Sequence, residues 1–230
     1  MIDLFYWPTP NGWKVALMLE ELGIPYQIHP VNIGQDDQFR PEFLAVSPNN
    51  RMPVIIDQAP ADGGPALSVF ESGAILKYLA LSHGRFYGQT VRDQAQIDQW
   101  LFWQHGGLGP MAGQTHHFNR AAPEPVPYAI ARYTAETRRL YGVLNTRLTG
   151  REFVAGDYSI ADMAIWPWIR RHDWQGIALE EFPDVQRWYA TIAARPAAQR
   201  AVEIGADWRD RNRTMDDADL AVLKAAAGHG

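Results

Sequence analysis

Thr9, Asn11, Met52-Pro53 and Glu71-Ser72 are side chains whose types and settings could hold an anion and a short peptide. Thr9 and Asn11 flank Pro10, where an apolar run ends and a helical pattern begins, so Thr9 reads as an N-cap with proline at the first helical position. The first N–H groups of a helix have no partner within it, and the dipole favours an anion there by about 0.3–1 kcal/mol. A hydroxyl or amide donor adds about 1.5–3 kcal/mol when its partner is charged, so a thiolate is a ligand this junction could accept. The plainer account is that Thr9 only caps the helix and Asn11 faces water. At Met52-Pro53, a proline before a strand cannot donate to the ladder. A cis bond there would turn the Met52 N–H and C=O outward, where an extended peptide could pair with them. Glu71-Ser72 opens another helix after an apolar strand, a setting suited to a carboxylate, although Glu71 also complements the helix dipole.

These junctions need a framework. The first eighty residues alternate strand and helix signals: a strand over 2–6, a helix from Pro10 to Gly23, and a strand over 26–31. A short helical patch at 41–44, a strand at 54–57, a returning strand at 66–70 and a helix over 73–81 follow. The order β-α-β-α-β-β-α can bring the three polar junctions along one edge of one sheet. The stretch 83–91 reads as a linker, and beyond it helical patterns take over at 92–105, 129–148, 160–171 and 185–194. Ser159 and Asp162 form a capping box with Tyr158 and Met163 as its staple, a folding signal. The expected organisation is a small α/β domain over 1–82, a linker over 83–91 and an all-α domain over 92–205. The charged, then alanine-rich tail over 206–230 is expected to be partly disordered.

Composition narrows the function classes. At 47% hydrophobic and 20% charged residues, the chain can fill a core. A net charge of −5 argues against nucleic-acid binding, and no apolar run is long enough to suggest a membrane span or a secretory leader. The 230 residues include no cysteine, which excludes disulfides, thiolate metal sites and a protein thiol nucleophile. A reducing cytoplasm is the expected location.

The motifs PTPNG, QFRPEFL, SPNNRMPVIID, FESGAILKYLA, QWLFWQHGGLGPMAGQTHHF and YSIADMAIWPW together resemble the glutathione transferase superfamily. The likeness is to its Nu-class, fungal nitrogen-regulator-like branch, and it leaves the tail after residue 205 outside. It implies a thioredoxin-like α/β domain followed by an all-α domain, with glutathione as cosubstrate and a homodimer as the working unit. By that resemblance Thr9 and Asn11 stand at the glutathione sulfur, and Met52, before a cis Pro53, pairs with the cysteinyl backbone. Glu71 and Ser72 would receive the γ-glutamyl end, and Gln38, with Arg40 beside it, the glycyl end. Arg132 would reach across the dimer interface to the neighbouring site, and Phe118 would wall the second substrate.

The serine or cysteine that activates the thiol in other classes is replaced here by Thr9 and Asn11. Tyr6, a residue type that serves in several classes, lies inside the first strand and is discounted. Without a protein cysteine no mixed disulfide with the enzyme can form, so the reactive thiol arrives with the ligand. The implied activity is reduction of small disulfides by bound glutathione. Conjugation of glutathione to electrophiles, or a non-catalytic glutathione-binding regulator, are the competing readings.

Other features attract plainer explanations. Adjacent histidines at 116 and 117 point in different directions and lack a third ligand, so packing accounts for them and no metal is expected. The aromatic residues Trp100, Phe102, Trp103, Trp166 and Trp168 read as core. Gly106-Gly107-Leu108-Gly109 lacks the strand and Lys-Ser/Thr of a phosphate loop and suggests a tight helix crossing or a break.

Overall fold

The apolar run Ile2–Tyr6 forms strand β1, buried along its whole length, in a computed structural model that describes residues 1–208, 210 and 212–228. Helix α1 (Pro10–Leu22) follows; Gly12 N–H donates to the Thr9 hydroxyl at 3.3 Å, Pro10 occupies the first turn, and Gly23, at φ 68°, closes the helix. Parallel strands cannot be joined by a tight turn, and α1 supplies the crossover to β2 (Tyr26–Pro30). After α2 (Pro41–Val46), strand β3 (Val54–Asp57) runs antiparallel to β1, and β4 (Leu67–Phe70) runs antiparallel to β3. The sheet order is β2-β1-β3-β4, and α3 (Ser72–His83) leaves its last strand. Gly12 is where α1 touches the sheet most closely: a Cβ there would lie 2.2 Å from the Trp7 carbonyl oxygen and 2.7 Å from the Tyr6 ring.

Phe5, Val54 and Ile56 form one apolar cluster with Phe43 and Val46 of α2, and that cluster continues into Met215, Leu223 and Ala226 near the C-terminus. The chain accordingly divides into two units, Met1–His83 with Pro196–Gly230, and Gly84–Arg195. This differs from the expected helical domain over 92–205 with a partly disordered tail. Helix α9 (Pro196–Glu203) buries Ala197, Ala198 and Ala201 and packs on α1, small residues allowing close approach. Helix α10 (Asp217–Ala227) packs on α2 and begins with a capping box of Asp216 and Asp219.

The second unit is helical throughout its long elements: α4 (Val91–Trp103), α5 (Gly109–His116), α6 (Pro127–Leu148), α7 (Ile160–Ile169) and α8 (Pro183–Ala193). The glycines at 106, 107 and 109 do not break the helix, which passes through a widened π turn at Gln104–Leu108 into α5. Of the three, Gly109 alone is tightly placed: a Cβ there would lie 2.6 Å from the Gln104 amide nitrogen, whereas nothing crowds Gly106 and Leu140 is 3.8 Å from Gly107. Among the aromatic residues read as core, Phe102 on α4 is instead exposed. Helix α7 is buried on every side and starts at the Ser159–Asp162 box. Among the described residues, no helix is long and apolar enough to cross a membrane.

Candidate functional site at one end of the sheet

Strand register decides which junctions meet. Tyr6 is opposite Pro30, Phe5 is opposite Val54, and Val54 is opposite Phe70. The end of β1, the end of β2, the start of β3 and the end of β4 therefore share one end of the sheet, across the strands rather than along an edge strand. From that end depart Thr9 and α1, the 31–40 loop, Met52-Pro53, and Glu71 with α3.

Contacts tie these junctions together. The Thr9 hydroxyl accepts from Gly12 N–H and donates towards the Met52 sulfur at 3.8 Å, and the Met52–Pro53 peptide is cis. Asn11 is half-buried in the first turn of α1. Glu71 adopts φ 68°, a left-handed conformation uncommon for a residue with a side chain, and accepts a hydrogen bond from Asn49 at 3.3 Å. Ser72, buried at the start of α3, accepts one from Lys14 Nζ at 3.4 Å.

Lys14 was not among the expected site residues. It is only 1% exposed, and burial holds its ammonium well below the usual lysine range, the Glu71 carboxylate opposing that shift. A signal existed in the sequence, since Lys14 lies four residues before Met18 and next to Val15 on the apolar stripe of α1. Tyr6 is fully buried and donates to the Ile204 carbonyl at 3.2 Å, and burial raises its pKa far above the ordinary value. No thiol could reach or be activated by that hydroxyl.

Gln38 and Arg40 occupy the 31–40 loop beside Asp37. Gln38 is 7% exposed; its amide nitrogen donates to Asp36 at 3.4 Å, and its buried oxygen has no partner among the described residues. Arg40 donates through Nε to Asp37 at 2.8 Å.

Arg132 and Phe118 belong to the helical unit. Arg132 lines an open concavity of about 910 Å³ with Met111, Tyr128, Tyr133, Glu136 and Arg139. Phe118 stacks on Tyr133 at 5.4 Å between ring centroids. The neighbouring His116 stacks on Trp168 and takes a hydrogen bond from Gln175; burial, reinforced by the Arg171 charge, lowers its pKa to about 4. No cluster of three or more His, Cys, Asp or Glu residues suited to a metal ion occurs among the described residues.

The sequence matches the family model "Glutathione S-transferase, N-terminal domain" over residues 2–81 and "Glutathione S-transferase, C-terminal domain" over residues 129–196. The chain belongs to the glutathione S-transferase family. That membership makes it an enzyme that works with glutathione, on a fold of thioredoxin-like and helical parts. It is 54% identical over 203 residues to the disulfide-bond oxidoreductase YfcG of Escherichia coli strain K12, an alignment spanning 88% of this chain and 94% of that protein. The protein URE2 of Meyerozyma guilliermondii is 35% identical, with 84% of this chain and 76% of that one covered. Among solved structures, a glutathione transferase from Pseudomonas putida with one glutathione disulfide bound per subunit superposes with a TM-score of 0.84. That structure is 42% identical, covering 88% of this chain and 91% of its own. The resemblance to the nitrogen-regulator-like branch is thus borne out.

Proposed function

We propose that this family member reduces small disulfides with glutathione held at the shared end of the sheet. One observation carries the reading: four polar junctions converge there in a chain with no cysteine, so a ligand must bring the sulfur. The γ-glutamyl end lies at Glu71 and Ser72, the cysteinyl backbone pairs with Met52 before Pro53, and the glycyl end lies by Gln38 and Arg40. The left-handed Glu71 supports this assignment, since strained backbone gathers where ligands are held. The orphaned Gln38 oxygen supports it too, since a buried acceptor without a donor is costly.

At the sulfur, Thr9 and Asn11 stabilise the thiolate. The Thr9 proton already points at a sulfur, that of Met52, and a thioether is a weak acceptor. A glutathione thiolate offers it a charged one. That thiolate attacks one sulfur of the substrate disulfide, forming a glutathione mixed disulfide and expelling the first substrate thiolate. A second glutathione thiolate attacks the glutathione sulfur of this intermediate, releasing the second substrate thiolate and leaving oxidised glutathione. Two glutathiones lose one electron each, and the substrate disulfide becomes two thiols on protonation. The relatives named a disulfide-bond oxidoreductase and solved with glutathione disulfide support this chemistry over conjugation. Arg132 reaches the site from the second subunit of a homodimer, Phe118 walls the substrate, and a reducing cytoplasm supplies glutathione.

The test is turnover of hydroxyethyl disulfide against a chlorinated aromatic electrophile, both with glutathione. Faster reaction with the disulfide is expected; activity on the electrophile alone makes the protein a conjugating enzyme, and glutathione binding without turnover makes it a binding protein. Asn11→Ala is expected to lower kcat/KM for the disulfide at least tenfold, about 1.4 kcal/mol of lost transition-state stabilisation. An unchanged rate removes Asn11 from the mechanism.

A further inference from the structure

The 31–40 loop is held from within, by bonds such as Gln35 N–H to the Asn32 carbonyl and Phe39 N–H to the Asp36 carbonyl, both at 3.0 Å, and also by a distant segment of the chain. Asp37, at its centre, is fully buried, and its carboxylate takes donors from both ends of the chain. Within the loop these are Asn32 N–H at 3.0 Å and Arg40 Nε at 2.8 Å. From the C-terminal segment come the Thr214 hydroxyl at 2.6 Å and Met215 N–H at 3.2 Å. Asn32 also donates through its side-chain amide to the Arg213 carbonyl at 2.8 Å.

The segment that supplies these groups is anchored elsewhere in the same unit. Met215 and Leu223 are buried in the cluster of Phe5, Phe43 and Val54. His29 lies between two carboxylates, Nδ1 at 2.6 Å from Asp219 and Nε2 at 2.8 Å from Asp3, all three side chains buried. The ring thus bridges α10 to the sheet through both of its nitrogens. The family models end at residues 81 and 196, so neither covers this segment.

We infer that residues 213–227 are a working part of the glutathione site: through Asp37 they set the turn that carries Gln38 and Arg40, and so govern recognition of the glycine of glutathione. The inference rests on the proposed placement of the glycyl end at Gln38 and Arg40. A carboxylate that receives four hydrogen bonds is fixed in position, and the turn Asp37–Phe39 is fixed with it. Loss of the donors from 214 and 215 leaves Asp37 held only by its own loop. Affinity then falls for the part of the ligand that this loop meets, while the sulfur and the γ-glutamyl end, held by Thr9, Asn11, Met52 and Ser72, are unaffected.

The experiment compares glutathione with γ-glutamylcysteine, which lacks the glycine, by calorimetric titration of the full chain as wild type, Thr214→Val and Thr214→Ser. The wild type is expected to bind glutathione more tightly than γ-glutamylcysteine. Thr214→Val removes one hydroxyl donor with little change of shape and is expected to weaken glutathione about fivefold, the scale of one hydrogen bond, while leaving γ-glutamylcysteine unchanged. Thr214→Ser keeps the donor and is expected to keep wild-type affinity for both. Equal weakening of both peptides by Thr214→Val, as general loosening of the fold would give, overturns the inference, as does no weakening of either. A wild type that binds both peptides equally well overturns it without touching the sulfur and γ-glutamyl assignments. A wild type that binds neither overturns the proposed site and this inference with it.

Discussion

A lysine ammonium taken out of water loses its hydration, and Lys14 recovers part of it from the Ser72 hydroxyl and the nearby Glu71 charge. Its folded-state pKa is therefore depressed, burial being the largest cause. Between that depressed value and the ordinary 10.5, the unfolded chain holds a proton that the folded chain does not, so stability rises with pH across this window. Below it both states are protonated and the fold carries the whole cost of the buried charge. An apolar side chain of similar length in the same place has no ammonium to dehydrate. Lys14→Met is expected to raise the urea midpoint at pH 7, with the gap over wild type narrowing by pH 10. A gap that is constant with pH would show that burial of charge is not its source.

Helix α7 shows how a local signal becomes a structural one. The Asp162 carboxylate accepts from Ser159 N–H at 3.1 Å, the Ser159 hydroxyl at 3.3 Å, Val154 N–H at 3.0 Å and Trp188 Nε1 at 2.8 Å. Every one of these groups is buried, so water cannot replace the carboxylate. Asp162→Ala is expected to destabilise the protein by about 3–5 kcal/mol in a urea titration, far beyond the ~1 kcal/mol of an exposed cap. A loss near 1 kcal/mol would reduce the box to a local cap. The box itself was legible, because Ser and Asp three residues apart before an apolar run are read from spacing alone; its bonds to Val154 and Trp188 were not. The same contrast holds for α10. Its box at Asp216 and Asp219 and its apolar Leu220 and Leu223 are visible in the sequence, yet the surrounding charge and alanine suggested a fraying tail. Its partners lie far off in sequence: Asp219 meets His29, 190 residues earlier, and Leu223 is buried with Phe5 and Phe43, and no local pattern announces partners that distant.

For the whole molecule, the alternation of strand and helix signals made the first unit readable, and the Thr9 cap with Pro10 marked where α1 begins. Convergence of the junctions followed from topology once the sheet order was known, whereas Asp37 gave no sign beside Asp36 and Gln38 in a mostly polar stretch. Arg132 poses a different problem, because its proposed role requires a second chain. It stands exposed on α6 beside the concavity lined by Tyr128 and Glu136, and a dimer would elute at twice the 26.0 kDa chain mass. A monomeric mass removes its role outright, but a dimeric mass alone does not establish that it acts across the interface. Mixing two impaired variants does. Asn11→Ala chains keep Arg132, and Arg132→Ala chains keep Asn11. If Arg132 serves the neighbouring site, a mixed dimer has one site lacking both residues and one site lacking neither. Random reassortment of equal amounts then restores about a quarter of wild-type disulfide reductase activity, since half the dimers are mixed and each has one intact site of two. If Arg132 serves its own chain, every site in the mixed dimer lacks one residue, and the mixture is no more active than the average of its parents.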